Sequence, residues 1–91
     1  MEFEWDQEKN ISNQKKHKIS FEEAAEIFRY PIYEIVDTRF QYGEERYIAI
    51  GCNSQVIIVT VVYTERENRI RIISARRASK QEKELYYEYC T

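Results

Sequence analysis

The run from Val56 to Thr64 is β-branched almost throughout. It constrains what this chain can fold into more than any other stretch. Branching at Cβ stiffens the side chain and suits a pleated strand. Apolar residues occupy consecutive positions rather than alternate ones, so both faces of the strand need cover, and a strand of that kind lies in the middle of a sheet. The run is broken by Thr60 and is far too short to span a bilayer. Glu65 to Asn68 then reads as a short polar turn and Arg69 to Ala75 as a second strand.

Earlier segments supply the partners. Met1 to Asp6 alternates, with Phe3 and Trp5 on one side and Glu2, Glu4 and Asp6 on the other, which predicts a short strand. Asp6 is placed to cap a helix with Glu8 in its first turn and Lys15, Lys16 and Lys18 in its last, the charge order a helix dipole favours. Ile11 is nearly its only apolar residue. Ser20-Phe21-Glu22-Glu23 is a capping box, followed by Phe21, Ala24, Ala25 and Phe28 at one-face helical spacing, and Pro31 blocks continuation. Tyr33 to Asp37 and Glu45 to Ile50 read as strands. Thr38 to Gly43 and Gly51 to Gln55 read as turns. A second capping box, Ser79-Lys80-Gln81-Glu82, opens a last helix whose stripe of Leu85, Tyr86 and Tyr89 is expected to pack on the sheet. Consecutive strands joined by short turns predict an antiparallel sheet. The expected fold is α+β, with a small antiparallel sheet, two N-terminal helices and one C-terminal helix.

The 91 residues suffice for one domain, taken as 1–91. A net charge of −2 gives no global signature of nucleic-acid binding. The charge is uneven, however: acidic residues crowd the first eight positions and Glu22 to Glu45, whereas Arg66 to Lys83 is basic, and local sign governs steering of a polyanion. Two cysteines, Cys52 and Cys90, are too few for a secreted disulfide framework, and without a signal peptide they read as reduced thiols of a cytosolic protein. Neither stands at metal-ligand spacing from another Cys or His. No phosphate-binding loop, dinucleotide fingerprint, zinc pattern or nucleophile elbow is present, so no cofactor is expected.

What remains is a constellation of His17, Glu45, Arg46, Arg66, Arg76 and Arg77. Cleaving an RNA phosphodiester requires a base for the 2′-hydroxyl, an acid for the leaving oxygen and cations for the charged intermediate. His17 is the only histidine, at an expected helix C-terminus that favours its protonated form. The bland alternatives are that His17 serves the last helical carbonyls, that Glu45 and Arg46 form a surface ion pair, and that the arginine hairpin is a solvated element paired with the chain's glutamates.

The ordered set of local motifs resembles the BrnT family of type II toxins, which are similar to RelE-type ribonucleases. The pieces are Phe3-Glu4-Trp5-Asp6, Asn13 with Lys16-His17, Ser20-Phe21-Glu22-Glu23-Ala24-Ala25, Gly43-Glu44-Glu45-Arg46, Val62-Tyr63-Thr64-Glu65-Arg66, and Ile70-Arg71-Ile72-Ile73-Ser74-Ala75-Arg76. The resemblance implies a compact sheet with flanking helices, metal-independent RNA cleavage and arrest of bacterial translation. It also implies a BrnA-like antitoxin with a ribbon-helix-helix part, through which the pair binds operator DNA. The family's basic and histidine positions fall on His17, Arg66 and Arg76, with Glu45 as a further candidate. Arg66 and Arg76 would neutralise the scissile phosphate, His17 or Glu45 would move protons, and Arg46 and Arg77 would bind substrate. Two departures stand out: Lys18 where the family usually has glycine, and the negative net charge. The rival expectation is a non-enzymatic protein-binding module, an inactive toxin copy that forms a repressor complex with its partner.

Overall fold

The computed structural model describes residues 1–39, 41 and 43–91. Five strands form one sheet: β1 (Glu2–Glu4), β2 (Tyr33–Val36), β3 (Tyr47–Cys52), β4 (Ile58–Arg66) and β5 (Arg69–Arg77), in the order β1-β5-β4-β3-β2. The helices are α1 (Gln7–His17), α2 (Phe21–Ala25), which tightens into a 3₁₀ turn over Glu26–Arg29, and α3 (Lys80–Cys90).

The expected α+β class holds, but the sheet is mixed rather than antiparallel. β1 pairs parallel to β5, with Phe3 opposite Ile70. The remaining pairings are antiparallel. The helix arrangement also differs from the expected one, because the second helix is a short α segment continued as 3₁₀. β4 is central and buried on both faces, as its β-branched sequence requires. Its odd positions Val59, Val61 and Tyr63 join Ala49, Ile70, Ile72 and Ala75 in a core under Ile19, Phe21, Ala24 and Ile27. On the other face Ile50 and Ile58 meet Ala78, Leu85 and Tyr86. Cover on that side is partial, and no residue of α3 is fully buried. Of the expected stripe, Leu85 and Tyr86 are half-buried, while Tyr89 is exposed and stacks on Tyr33 at 5.1 Å.

Local chemistry accounts for the helix ends. Asp6 accepts the Glu8 and Lys9 amides, and both serine capping boxes form. α1 docks through asparagines rather than apolar contacts. Asn10, 3% exposed, donates to Glu22 and accepts the Phe21 amide. Asn13 bridges the Ala75 carbonyl and amide and also donates to the Ile19 carbonyl. β1 pairs only along Glu2–Glu4, so Asn13 satisfies backbone groups of β5 that would otherwise form a bare edge.

Two residues change element. Val56 is no strand residue: it is 82% exposed with φ of 64°, in a tight turn whose Asn53 side chain accepts the Gln55 and Ile57 amides. Gly51, expected in that turn, lies within β3. A Cβ there would stand 2.9 Å from Ile27 Cβ and 2.9 Å from Ile32 Cγ2, so glycine permits the 3₁₀ segment to press on the sheet. The expected turn from Thr38 to Gly43 includes Phe40 and Tyr42, which lie outside the described residues; Gly43 adopts a positive φ of 76°. Gly51→Ala should therefore destabilise the fold by about 1–3 kcal/mol through overpacking. A lowered urea midpoint with unchanged slope checks this; an unchanged midpoint would show that Ile27 and Ile32 yield freely.

Candidate active site

Residues opposite one another in register share a sheet face, and alternate residues along a strand return to it. Arg66 stands opposite Arg69, Thr64 opposite Arg71, Val62 opposite Ser74 and Thr60 opposite Arg76. A register shift at Val62/Tyr63 keeps Ser74 and Arg76 on the same face as Arg69 and Arg71. Four arginines therefore share the face that α3 covers only in part.

Each of them holds a carboxylate. Arg76 makes a two-pronged pair with Glu82, Nη1 to Oε1 at 2.7 Å and Nη2 to Oε2 at 2.8 Å. Glu82 Oε1 also accepts Thr60 Oγ1 at 3.0 Å and the Ser79 amide at 2.7 Å. Burial pushes the Glu82 carboxyl up, but Arg76, Ser79 and Thr60 outweigh it and hold it down at about 2. Glu82 in turn raises Arg76 above its usual range, against burial and the nearby Arg39 charge. Arg66 pairs with Glu44 at 2.8 Å, and the Glu44 carboxyl, also 3.5 Å from Arg46, is held below its usual range chiefly by Arg66. Arg69 and Arg71 pair with Glu2 and Glu4 of β1.

The expected constellation divides. Arg66 stands six positions along β4 from Thr60, the partner of Arg76, a distance of roughly 20 Å along the strand. Arg66, Glu44 and Arg46 form one group near the β4–β5 hairpin, and Arg76 forms another at the far end. Glu45 lies near the first group, its carbonyl accepting Thr64 Oγ1 at 2.6 Å. Its side chain, however, is directed to Tyr47 on the opposite face, where burial and then Glu45, Glu65 and Glu34 raise the phenol. Tyr63 beside it is raised by burial and by its bond to Glu34. His17, half-buried, ends α1. That helix runs in the sense of β5, since Glu4 lies opposite Arg71 and Asn13 grips Ala75, so His17 falls toward the Arg76–Arg77 end. No hydrogen bond joins His17 to either arginine among the described residues. Lys18 takes the left-handed conformation, φ 61°, that glycine would adopt without strain. Arg77 is exposed and has no ion pair among the described residues.

Between β3, β5 and the start of α3 lies a cavity of about 310 Å³ lined by Arg39, Ile48, Thr60, Val62, Ser74, Arg76 and Glu82. Of these residues only Arg76 is legible in the sequence as a site residue. Arg39 falls in an expected turn, where its amide and its guanidinium both donate to the Asp37 carboxylate two residues back. Thr60 gave a visible signal as the polar break in a β-branched run. Glu82 was assigned only to a capping box. Among the described residues no group of three or more His, Cys, Asp or Glu is placed to hold a metal ion.

Fold and site together define a small α+β domain with carboxylate-paired arginines on one half-covered face of a mixed sheet. The family is narrower: residues 5–82 match the model for the ribonuclease toxin, BrnT, of type II toxin–antitoxin systems, and the chain belongs to this family. Its fold is similar to the crystal structure of the Brucella abortus ribonuclease toxin BrnT, with a TM-score of 0.64 at 24% identity over 88% of this chain and 99% of that one. None of the curated proteins matches the chain significantly.

The depressed Glu82 carboxyl predicts an acid limb in stability. Folding lowers this group from 4.5 to about 2, so its contribution is complete above about pH 4.5 and is lost as pH falls toward 2. Chemical denaturation across that window should show a shallower loss of stability for Glu82→Gln than for the parent chain; parallel curves would contradict the Glu82 assignment.

Proposed function

We propose that the chain is a metal-independent endoribonuclease toxin that arrests translation in the cytoplasm and is neutralised by a BrnA-like antitoxin. That antitoxin would carry a ribbon-helix-helix part and bind operator DNA for the complex. The observation that supports this most directly is the arginine-bearing, half-covered sheet face in a member of a ribonuclease toxin family. Transesterification needs no resident cofactor. The 2′-oxygen attacks phosphorus as a base removes its proton, the 5′-oxygen departs as an acid protonates it, and a cyclic phosphate remains on the 3′ side.

Arg76 neutralises the phosphorane-like transition state, where a planar fork suits two phosphate oxygens. His17, at the same end of β5, is favoured over Glu45 for proton transfer, since the Glu45 carboxylate is directed to the opposite face. Arg66 lies too far along β4 to share a phosphate with Arg76, so it holds a flanking part of the strand together with Arg46, which shares its Glu44 partner. Arg77, exposed at the end of β5 but opposite Val59 on the other face from Arg76, would add to substrate binding only around the strand end.

One observation favours the second reading, a partner-binding module without activity: Arg66, Arg69, Arg71 and Arg76 are all matched by carboxylates. Cleavage of total RNA by purified protein in EDTA separates the two. Arg76→Ala should lower the rate by roughly 10²–10³, and His17→Ala by roughly 10²–10⁴. Arg66→Ala should act mainly on binding. Circular dichroism serves as the folding control. Induced expression should stop bacterial growth, and co-expression of a ribbon-helix-helix partner should restore it. Full activity in folded Arg76→Ala would remove the catalytic assignment, and activity abolished only by EDTA would point to a metal nuclease.

A further inference from the structure

We infer that the cavity beside α3 is a phosphate seat for the RNA strand, built from Arg39, Arg76, Thr60 and Ser74, and that Glu82 is a resident carboxylate holding the Arg76 fork until phosphate replaces it. This rests on the ribonuclease reading and adds to it residues that reading does not use.

Two guanidinium groups line one small cavity, close enough that the Arg39 charge acts on Arg76. Like charges so placed repel, and an anion between them relieves the repulsion. Arg39 is aimed by an unusual support. Its Nε and Nη2 hold the two oxygens of Asp37 at 2.8 and 2.9 Å, and its backbone amide donates to Asp37 Oδ1 at 3.1 Å. The Asp37 side chain is fully shielded, whereas the Arg39 side chain is 56% exposed. Burying a carboxylate is costly unless it is well paired. What the arrangement yields is a surface arginine with a fixed orientation, as ligand recognition requires. The cavity floor is apolar at Ile48 and Val62, with hydroxyls at Thr60 and Ser74.

Glu82 already shows how an anion sits here. It takes the two-pronged geometry on Arg76 that phosphate oxygens share, and it accepts the Thr60 hydroxyl. Releasing Arg76 does not require α3 to unwind, because the Ser79 amide can keep Oε1. Glutamine at position 82 retains acceptors for Ser79 and Thr60 but removes the charge that competes with phosphate.

The test titrates the full chain with inorganic phosphate and with a 2′-O-methyl oligoribonucleotide, which cannot be cleaved. Amide NMR shifts and fluorescence anisotropy at several salt concentrations are the readouts. Both ligands should shift the amides of Thr60 and Ser74. Glu82→Gln should bind the oligonucleotide roughly tenfold more tightly, the order of one charge-assisted hydrogen bond. Its salt dependence should steepen by about 0.7, the value for one further phosphate on a single strand. Arg39→Lys keeps a cation for Asp37 but loses the fork, and should weaken binding with little change in salt slope. Unchanged affinity in both folded variants overturns the seat, as do shifts seen with inorganic phosphate but not with the oligonucleotide. A seat that responds in a chain that cleaves no RNA would sink the nuclease reading alone; cleavage by a chain whose Thr60 and Ser74 stay silent would sink the seat alone.

Discussion

The carboxylate of Glu82 ties the last helix to the sheet. It completes the N-cap of α3, accepts the Thr60 hydroxyl from β4 and grips the Arg76 fork from β5. α3 is docked chiefly by this polar node and a small apolar patch around Ile50, Ile58 and Ala78. The partial cover that results leaves part of this sheet face open, with Arg76 at the border between covered and open ground. A helix packed by a broad apolar stripe would have closed that face.

The opposite face follows different physics. There α2 and its 3₁₀ continuation bury Phe21, Ala24 and Ile27 against β3, β4 and β5, with Phe28 set between Phe3 and Tyr63. Gly51 permits the close approach. α1 contributes hydrogen bonds where its apolar surface is poor, and Asn13 takes the place of a neighbouring strand along the second half of β5. The molecule thus has one closely packed apolar side and one half-open side of carboxylate-paired arginines, with His17 near the edge between them.

Local signals in the sequence are legible where the interactions are local. The S-x-x-E boxes at Ser20 and Ser79 and the Asp6 cap involve residues three or fewer apart, and they form as expected. The parallel pairing of β1 with β5 was not visible, because it joins residues nearly seventy positions apart and no short turn announces it. Gly51 carried an ambiguous signal, since glycine serves both turns and close packing. Val56 looked like a strand residue by propensity, yet the Asn53 turn imposes a positive φ on it. Of the site, the arginine cluster was evident, and so was the alternative that its arginines pair with glutamates, which they do. Its division was not: only the register shows that Arg66 and Arg76 stand roughly 20 Å apart along the sheet, or that Glu45 is directed away from both. The cavity was hidden for the same reason, since Arg39, Thr60, Ser74 and Glu82 come from four separate segments.

The role proposed for Arg76 is that its planar cation, on the half-covered face, carries RNA cleavage. Comparing the single-turnover rate of Arg76→Lys with that of the parent on one defined RNA tests it most directly. Lysine keeps the charge and a partner for Glu82 but offers a point charge in place of a fork. The rate should fall by roughly 10² or more, with thermal stability and RNA affinity close to the parent's. Equal rates in the two proteins would show that the Arg76 fork carries no part of the cleavage.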